Sequence, residues 1–190
     1  MAHFSFPAED DSHGDVAWTE AEAAEIQEII ARYPEKKAAI MPVMWLAQDR
    51  WGWLSLNVIR LVAKTLDLPP SHALSVATFY TMFKKKPTGE HLIQVCHTLS
   101  CELAGSEMLI DRIQEKLGIG VGETTADGKF TLERVECLAA CGSAPMCQVG
   151  TDYHEILNTH DKIDAFLEAI AQGTPLPRTE MDRWTYSQTS

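Results

Sequence analysis

The sequence predicts an α/β (α+β) chain in two parts, a small helical bundle followed by a compact region of short strands and helices. Three observations lead there. Through the first half, apolar residues recur at helical spacing between capping residues and helix breakers. After Lys86-Pro87-Thr88-Gly89 the pattern changes to short apolar runs alternating with two longer amphipathic stretches. All five cysteines lie beyond residue 95, none in the helical half.

Residues 1–17 are acidic and punctuated by glycine and proline, and are expected to be loose. Thr19 with Glu22 forms a capping box ahead of Ile26, Ile29 and Ile30, which predicts a helix running to about Tyr33, where Pro34 stops it. A second helix is expected over Ala38–Arg50, with Ile40, Val43, Met44 and Ala47 on one face and Gly52 at its end. Ser55 caps a third, carrying Ile59, Val62 and Leu66 before Pro69-Pro70, and Ser71 caps a short fourth from Ala73 to about Thr78. Trp45, Trp51, Trp53, Phe79, Tyr80 and Phe83 are read as core filling, because a bundle this small needs large side chains. A partner-facing patch is the alternative for some of them.

In the second part, His91–Cys96 reads as a strand and Ser106–Leu117 as a helix with Met108, Ile110, Ile113 and Leu117 apolar, closed by Gly118. Gly128–Val135 reads as a second strand. Met146–Val149 and Tyr153–Ile156 read as a hairpin through Gly150. Thr159 caps a last helix bearing Ile163, Phe166, Leu167 and Ile170, with Gly173 at its end. Strand, helix, two or three strands, helix is the order of a small α/β sandwich, with the thioredoxin-like fold as leading candidate. From Thr174 a polar, proline-containing tail is expected to lie along a surface.

Composition narrows the function. With 16 basic against 27 acidic residues the formal charge is -11, which argues against nucleic acid as a partner. The basic run Lys84-Lys85-Lys86 reads as a solvated turn, with docking to an acidic partner as the alternative. The apolar stretch Ala38–Ala47 is too short to span a bilayer and contains Pro42, so no membrane insertion is expected. Met1–Asp15 lacks a secretory pattern, so the chain is expected in the cytoplasm or on a cytoplasm-facing surface. Clustered thiols there point to metal or redox chemistry rather than to disulfides.

Cys96 and Cys101 are spaced C-x4-C, Cys137 and Cys141 C-x3-C, with 35 residues between the pairs. Each pair follows a predicted strand end, so both should emerge in loops at one sheet edge. Leu138-Ala139-Ala140-Cys141-Gly142-Ser143-Ala144-Pro145 is almost wholly small residues, which lets backbone N–H groups approach an anion. A four-thiolate [2Fe–2S] cluster is such an anion, and these N–H groups influence its potential. Structural zinc is the chief rival, although C-x4-C with C-x3-C is uncommon for it. Disulfides and a thiol redox enzyme rank lower, the latter because the chain has no CxxC pair. Cys147 sits in an apolar run and reads as a buried structural thiol. His91 and His97 flank the first pair; with four cysteines available, His97 reads as a supporting or surface residue rather than a ligand.

Ala47-Gln48-Asp49-Arg50-Trp51-Gly52-Trp53-Leu54-Ser55, Val76-Ala77-Thr78-Phe79-Tyr80-Thr81-Met82-Phe83 and the two cysteine segments together resemble the small [2Fe–2S] subunit of respiratory NADH dehydrogenase, the 24 kDa or E subunit of complex I. The similarity covers roughly residues 19–172 and leaves both ends unmatched. The pattern along the chain divides it into a flexible acidic N-terminus (1–17), a helical bundle (18–86), a compact α/β domain (87–173) and a C-terminal tail (174–190), and the resemblance implies that the bundle precedes a thioredoxin-like [2Fe–2S] domain. It implies that Cys96 and Cys101 hold one iron and Cys137 and Cys141 the other. It further implies a flavoprotein partner carrying FMN, a [4Fe–4S] cluster and the NADH site, within a larger NADH:quinone oxidoreductase at the cytoplasmic face of the inner membrane. The chain would act enzymatically only as a subunit: Gly118-Ile119-Gly120-Val121-Gly122 follows a helix rather than opening one, so no NADH oxidation is expected from it alone. A diaphorase subunit of an NAD-linked hydrogenase or formate dehydrogenase, a free-standing ferredoxin-like carrier and a zinc-stabilised interaction domain are the competing readings.

Overall fold

The computed structural model describes residues 13–173. The expectations for residues 1–12 and for the tail 174–190 lie outside them. The chain divides into two compact units, with the division between Pro87 and Thr88.

The first unit is helical. Helix α1 spans Glu20–Ala31 and opens on the capping box expected of Thr19 and Glu22, whose side chains each accept from the other's backbone N–H. A 3-10 turn over Lys36–Ala39 leads into α2, Ile40–Trp51, which ends on Gly52 in the left-handed conformation, φ 79°. Helix α3, Leu56–Thr65, is capped by the Ser55 hydroxyl as expected. Helix α4 spans Pro70–Phe79 and starts earlier than Ser71 suggests, because Pro70 occupies the first helical position, where its missing N–H costs nothing. The core gathers Ile26, Ile40, Val43, Met44, Leu54, Ile59, Val62, Leu66 and Phe83. Gln48 is buried and ties the segment after α4 to α2: its Nε2 donates to the Met82 carbonyl and its Oε1 accepts from Lys84 N.

The aromatics divide. Trp53 and Phe83 are core; Trp51 is partly buried and stacks on Trp18. Trp45, Phe79 and Tyr80 are exposed, Phe79 at 74 %, because they fall at the end of α4 or on the outer face of α2. Residues 13–17, expected to be loose, are anchored. His13 Nε2 lies 3.1 Å from the Trp51 carbonyl, Asn57 donates to the Gly14 carbonyl, and Val16 packs on the core.

The second unit is a four-stranded sheet in the order β2-β1-β3-β4, with β1 at His91–Cys96, β2 at Phe130–Val135, β3 at Cys147–Val149 and β4 at Asp152–His154. Strands β1 and β2 are parallel, running from His91 opposite Phe130 to Cys96 opposite Val135. A parallel pair needs a crossover, supplied by α6, Ser106–Leu117. Strands β3 and β4 are antiparallel and form the expected hairpin through Gly150, φ 61°. Helix α7, His160–Ala171, packs on α6, and the core between helices and sheet holds Ile93, Val95, Leu109, Ile110, Ile113, Leu132, Phe166 and Ile170. Gly89 fits where no other residue does, since a Cβ there would meet the Lys129 and Phe130 backbone at 2.9 Å. A short helix α5, Leu99–Leu103, was not expected. Five residues are too few for periodicity to register.

Candidate metal centre

The first thiol pair is set by β1 and α5. Cys96 ends β1, where its N–H donates to the Met146 carbonyl and that of His97 to the Val135 carbonyl. Cys101 sits within α5 rather than in a loop, which corrects the sequence expectation. Both side chains are buried, at 2 % exposure each, in a small apolar cluster with Met146. The second pair lies on the loop after β2. Cys137 and Cys141 are exposed, with their sulfurs 3.7 Å apart. Cys141 opens a 3-10 turn over Cys141–Ser143, and the Ala144–Pro145 peptide that follows is cis.

The two pairs are brought to the same place. Burial raises the Cys96 thiol, but hydrogen bonds from the Thr98 side chain and N–H, the Leu138 N–H and the Cys101 thiol prevail and hold it below the ordinary thiol value. Leu138 belongs to the second loop and packs, with Ala140 and Ala144, against the cluster of Cys96, Cys101 and Met146. Cys101 is pushed up to about 11, by burial first and then by its hydrogen bond to Cys96 and the charge there; the charge on Cys141 adds to the shift. Cys141 is raised by its hydrogen bond to Cys137 and the charge on it, while the Ser100 side chain pulls the other way. Thr98 Oγ1 lies 3.3 Å from Cys96 Sγ, and the Ala139 N–H donates to Cys137 Sγ at 3.3 Å. Ala139 takes the left-handed conformation, φ 63°, to make that contact.

The loop is braced from the far side of the hairpin. The Tyr153 hydroxyl donates to the Leu138 carbonyl at 2.7 Å, and the buried Ser143 hydroxyl donates to Glu155. Ile156 N and Leu157 N donate to the carbonyls of Ser143 and Pro145. None of Thr98, Ser100, Ser143, Tyr153 or Glu155 stood out in the sequence. The available signal was Tyr153 and Glu155, two residues apart on a short extended run and therefore on one face.

This donor set fits a sulfide cluster. Ionising one thiol of a pair makes the second harder to ionise, and a cation between them such as iron would relieve that cost. Among the described residues, no three His, Cys, Asp or Glu side chains draw together as the ligands of a single ion would. The thiols stand as two pairs, Cys96 with Cys101 and Cys137 with Cys141. Backbone and hydroxyl donors aimed at the sulfurs suit an anionic cluster. Cys147 is buried on β3, where burial pushes its thiol far up, in keeping with a structural role. His97 lies 4.0 Å from Glu136 at the rim of the site, and His91 packs against Phe130.

A parallel β1-α6-β2 crossover extended by an antiparallel hairpin, with paired thiols beside the end of β1, defines the class of thioredoxin-like iron–sulfur proteins. The chain belongs to the thioredoxin-like [2Fe–2S] ferredoxin family, whose model matches residues 26–171. Its cofactor is a [2Fe–2S] cluster. The chain is 46% identical over 146 residues to the second E-type NADH-quinone oxidoreductase subunit of Rhizobium meliloti, covering 77% of this chain and 86% of that one. It is 39% identical over 158 residues to NADH-quinone oxidoreductase subunit 2 of Thermus thermophilus, covering 82% and 87%. Among solved structures, an NAD+-reducing [NiFe]-hydrogenase in the air-oxidised state matches with a TM-score of 0.59 at 22% identity, over 75% of this chain and 24% of that chain. That likeness concerns the fold alone, over about a quarter of the hydrogenase chain. The sequence expectations of family, thioredoxin-like fold and cofactor are thus borne out.

Proposed function

We propose that this chain is an electron-transfer subunit of an NADH:quinone oxidoreductase (complex I). It would hold one [2Fe–2S] cluster through Cys96 and Cys101 on one iron and Cys137 and Cys141 on the other, and exchange single electrons with FMN on a flavoprotein partner that carries the NADH site. The observation that carries the ligand assignment is that Leu138, Ala140 and Ala144 of the second loop pack against the buried Cys96 and Cys101 of the first pair. The relatives at 39% and 46% identity, named as NADH-quinone oxidoreductase subunits, support the choice of complex.

The cluster supplies a one-electron redox centre; the chain supplies its setting. Cys96 and Cys101 would supply two thiolate ligands from a buried apolar cluster with Met146, which would keep water from that half of the site. The Thr98 hydroxyl beside Cys96 and the Ala139 N–H donated to Cys137 would stabilise negative charge on the sulfurs. The exposed Cys137 and Cys141 leave one side open to a partner. We place the protein on the cytoplasmic side, peripheral to the membrane; no helix among the described residues is long and apolar enough to cross one.

Iron, sulfide and electron paramagnetic resonance analysis of the full chain tests the reading. Two irons and two sulfides per chain are expected, falling to a small fraction in Cys101→Ala or Cys141→Ala. Zinc in place of iron, or a cluster that survives both changes unaltered, would sink the assignment. Co-purification with hydrogenase or formate dehydrogenase subunits would move the chain to a diaphorase.

A further inference from the structure

Tyr153 reaches back 15 residues from β4 to the loop that carries the second thiol pair. Its hydroxyl donates at 2.7 Å to the Leu138 carbonyl, and the N–H on the other end of that same peptide, that of Ala139, donates at 3.3 Å to Cys137 Sγ. One peptide unit is therefore held at both ends, by a phenol and by a sulfur. Its orientation is not what the local sequence prefers. Ala139 sits at φ 63°, a left-handed conformation disfavoured for a residue with a Cβ, and no glycine stands there to relieve it. If the peptide turned over, its carbonyl oxygen would face the sulfur in place of the N–H. The phenol opposes that rotation. It also draws electron density toward the carbonyl oxygen and so makes the N–H a stronger donor, since hydrogen bonds in series polarise one another.

We propose that Tyr153 is a positioning residue for the iron–sulfur site: through the Leu138–Ala139 peptide it fixes and strengthens the N–H donor to Cys137 and thereby raises the reduction potential. The proposal rests on Cys137 being a ligand, as assigned above. Uptake of one electron adds one negative charge to the site, and an N–H aimed at a ligand sulfur stabilises the more negative state more. Removing the phenol hydroxyl should therefore make reduction harder without removing a ligand. Tyr153 is 47 % exposed, so the change to phenylalanine leaves no buried gap.

The test is a redox titration of the full, cluster-loaded chain with dithionite as the electron donor, followed by visible absorption and electron paramagnetic resonance. Tyr153→Phe should keep its full iron and sulfide. Its equilibrium constant for one-electron uptake should fall about three- to tenfold, a shift of roughly 30 to 60 mV to more negative potential at 59 mV per tenfold. Fluorotyrosine incorporated at position 153, a stronger donor of nearly the same size, should shift the potential the other way. A fully loaded Tyr153→Phe with an unmoved potential overturns the proposal. Should that variant lose its cluster, an unmoved potential with fluorotyrosine overturns it instead. Failure of the ligand reading looks different: a Cys137→Ser variant that retains the wild-type spectrum and potential would remove the sulfur this peptide serves, whatever Tyr153 does.

Discussion

Cys147 and Cys141 carry the same side chain into opposite surroundings. Cys141 is exposed at the start of a 3-10 turn, with Cys137 beside it and the Ser100 side chain within reach. Cys147 is sealed inside β3, where burial alone drives its thiol up and leaves it without nucleophilic or ligand character at neutral pH. The difference predicts an asymmetric response. Cys147→Val should keep full iron and sulfide and melt within a few degrees of the parent, because valine is apolar, similar in size and suited to a strand. Cys147→Ser should also keep the cluster but lose about 1–3 kcal/mol of stability in urea unfolding, the cost of a buried hydroxyl without a partner. A cluster lost from Cys147→Val would make this thiol part of the site. The sequence made Cys147 legible through its apolar neighbours Met146 and Val149. It could not show Tyr153 at work, because that residue acts on a carbonyl far back in the chain and its own neighbours say nothing of the contact.

At the scale of elements, helices with a full apolar stripe were readable and short or irregular pieces were not. Ile163, Phe166, Leu167 and Ile170 are all buried in α7, as their spacing required, and Ser106–Leu117 has the bounds its composition suggested. The stripe of α6 still misplaced one contact: Leu109 is fully buried while Met108 and Leu117 are only partly so, since the sheet and α7 together define a wider face than either alone. Helix α5 escaped notice, and with it the fact that Cys101 is a helical residue. The seam between α7 and the hairpin has a consequence for acid stability. His154 on β4 stacks on Phe166 with ring centroids 4.8 Å apart, and burial holds its imidazole below the ordinary value of 6.5, with Asp152 pulling weakly the other way. A base whose folded value is depressed favours the unfolded chain once that chain takes up the proton. The contribution is therefore neutral above the unfolded value and turns destabilising as pH falls through it. The melting temperature should drop between about pH 7 and pH 5, and His154→Gln should flatten that drop. An identical pH profile in the variant would assign the acid sensitivity elsewhere.

For the molecule as a whole, the proposed division of labour with a partner bears on what its glycines are doing. The glycine run Gly118-Ile119-Gly120-Val121-Gly122 has neither the G-x-G-x-x-G spacing nor the geometry of a phosphate-binding loop. Gly118 closes α6 in the left-handed conformation, φ 66°, instead of leading into a helix whose N-terminus could receive an anion. The Gly120 N–H is already taken by the Glu123 carboxylate at 2.6 Å, and the Gly122 N–H by the Leu132 carbonyl. A dinucleotide would have to displace a carboxylate from the very donors it needs, in a chain whose net charge of -11 already opposes a polyanion. This supports the proposed function, in which the NADH site would lie on a flavoprotein partner rather than on this chain. The cluster-loaded chain, mixed anaerobically with NADH, should show no loss of visible absorption and should not pass electrons to ferricyanide, although dithionite reduces it at once. Adding a flavoprotein subunit from the same complex should restore both signals, and Cys137→Ser in this chain should abolish the absorption change while leaving the flavoprotein's own ferricyanide activity in place. Bleaching by NADH with no partner present would show that the chain binds the nucleotide by a route other than a glycine loop, and the reading as a dedicated electron-transfer subunit would fall with it.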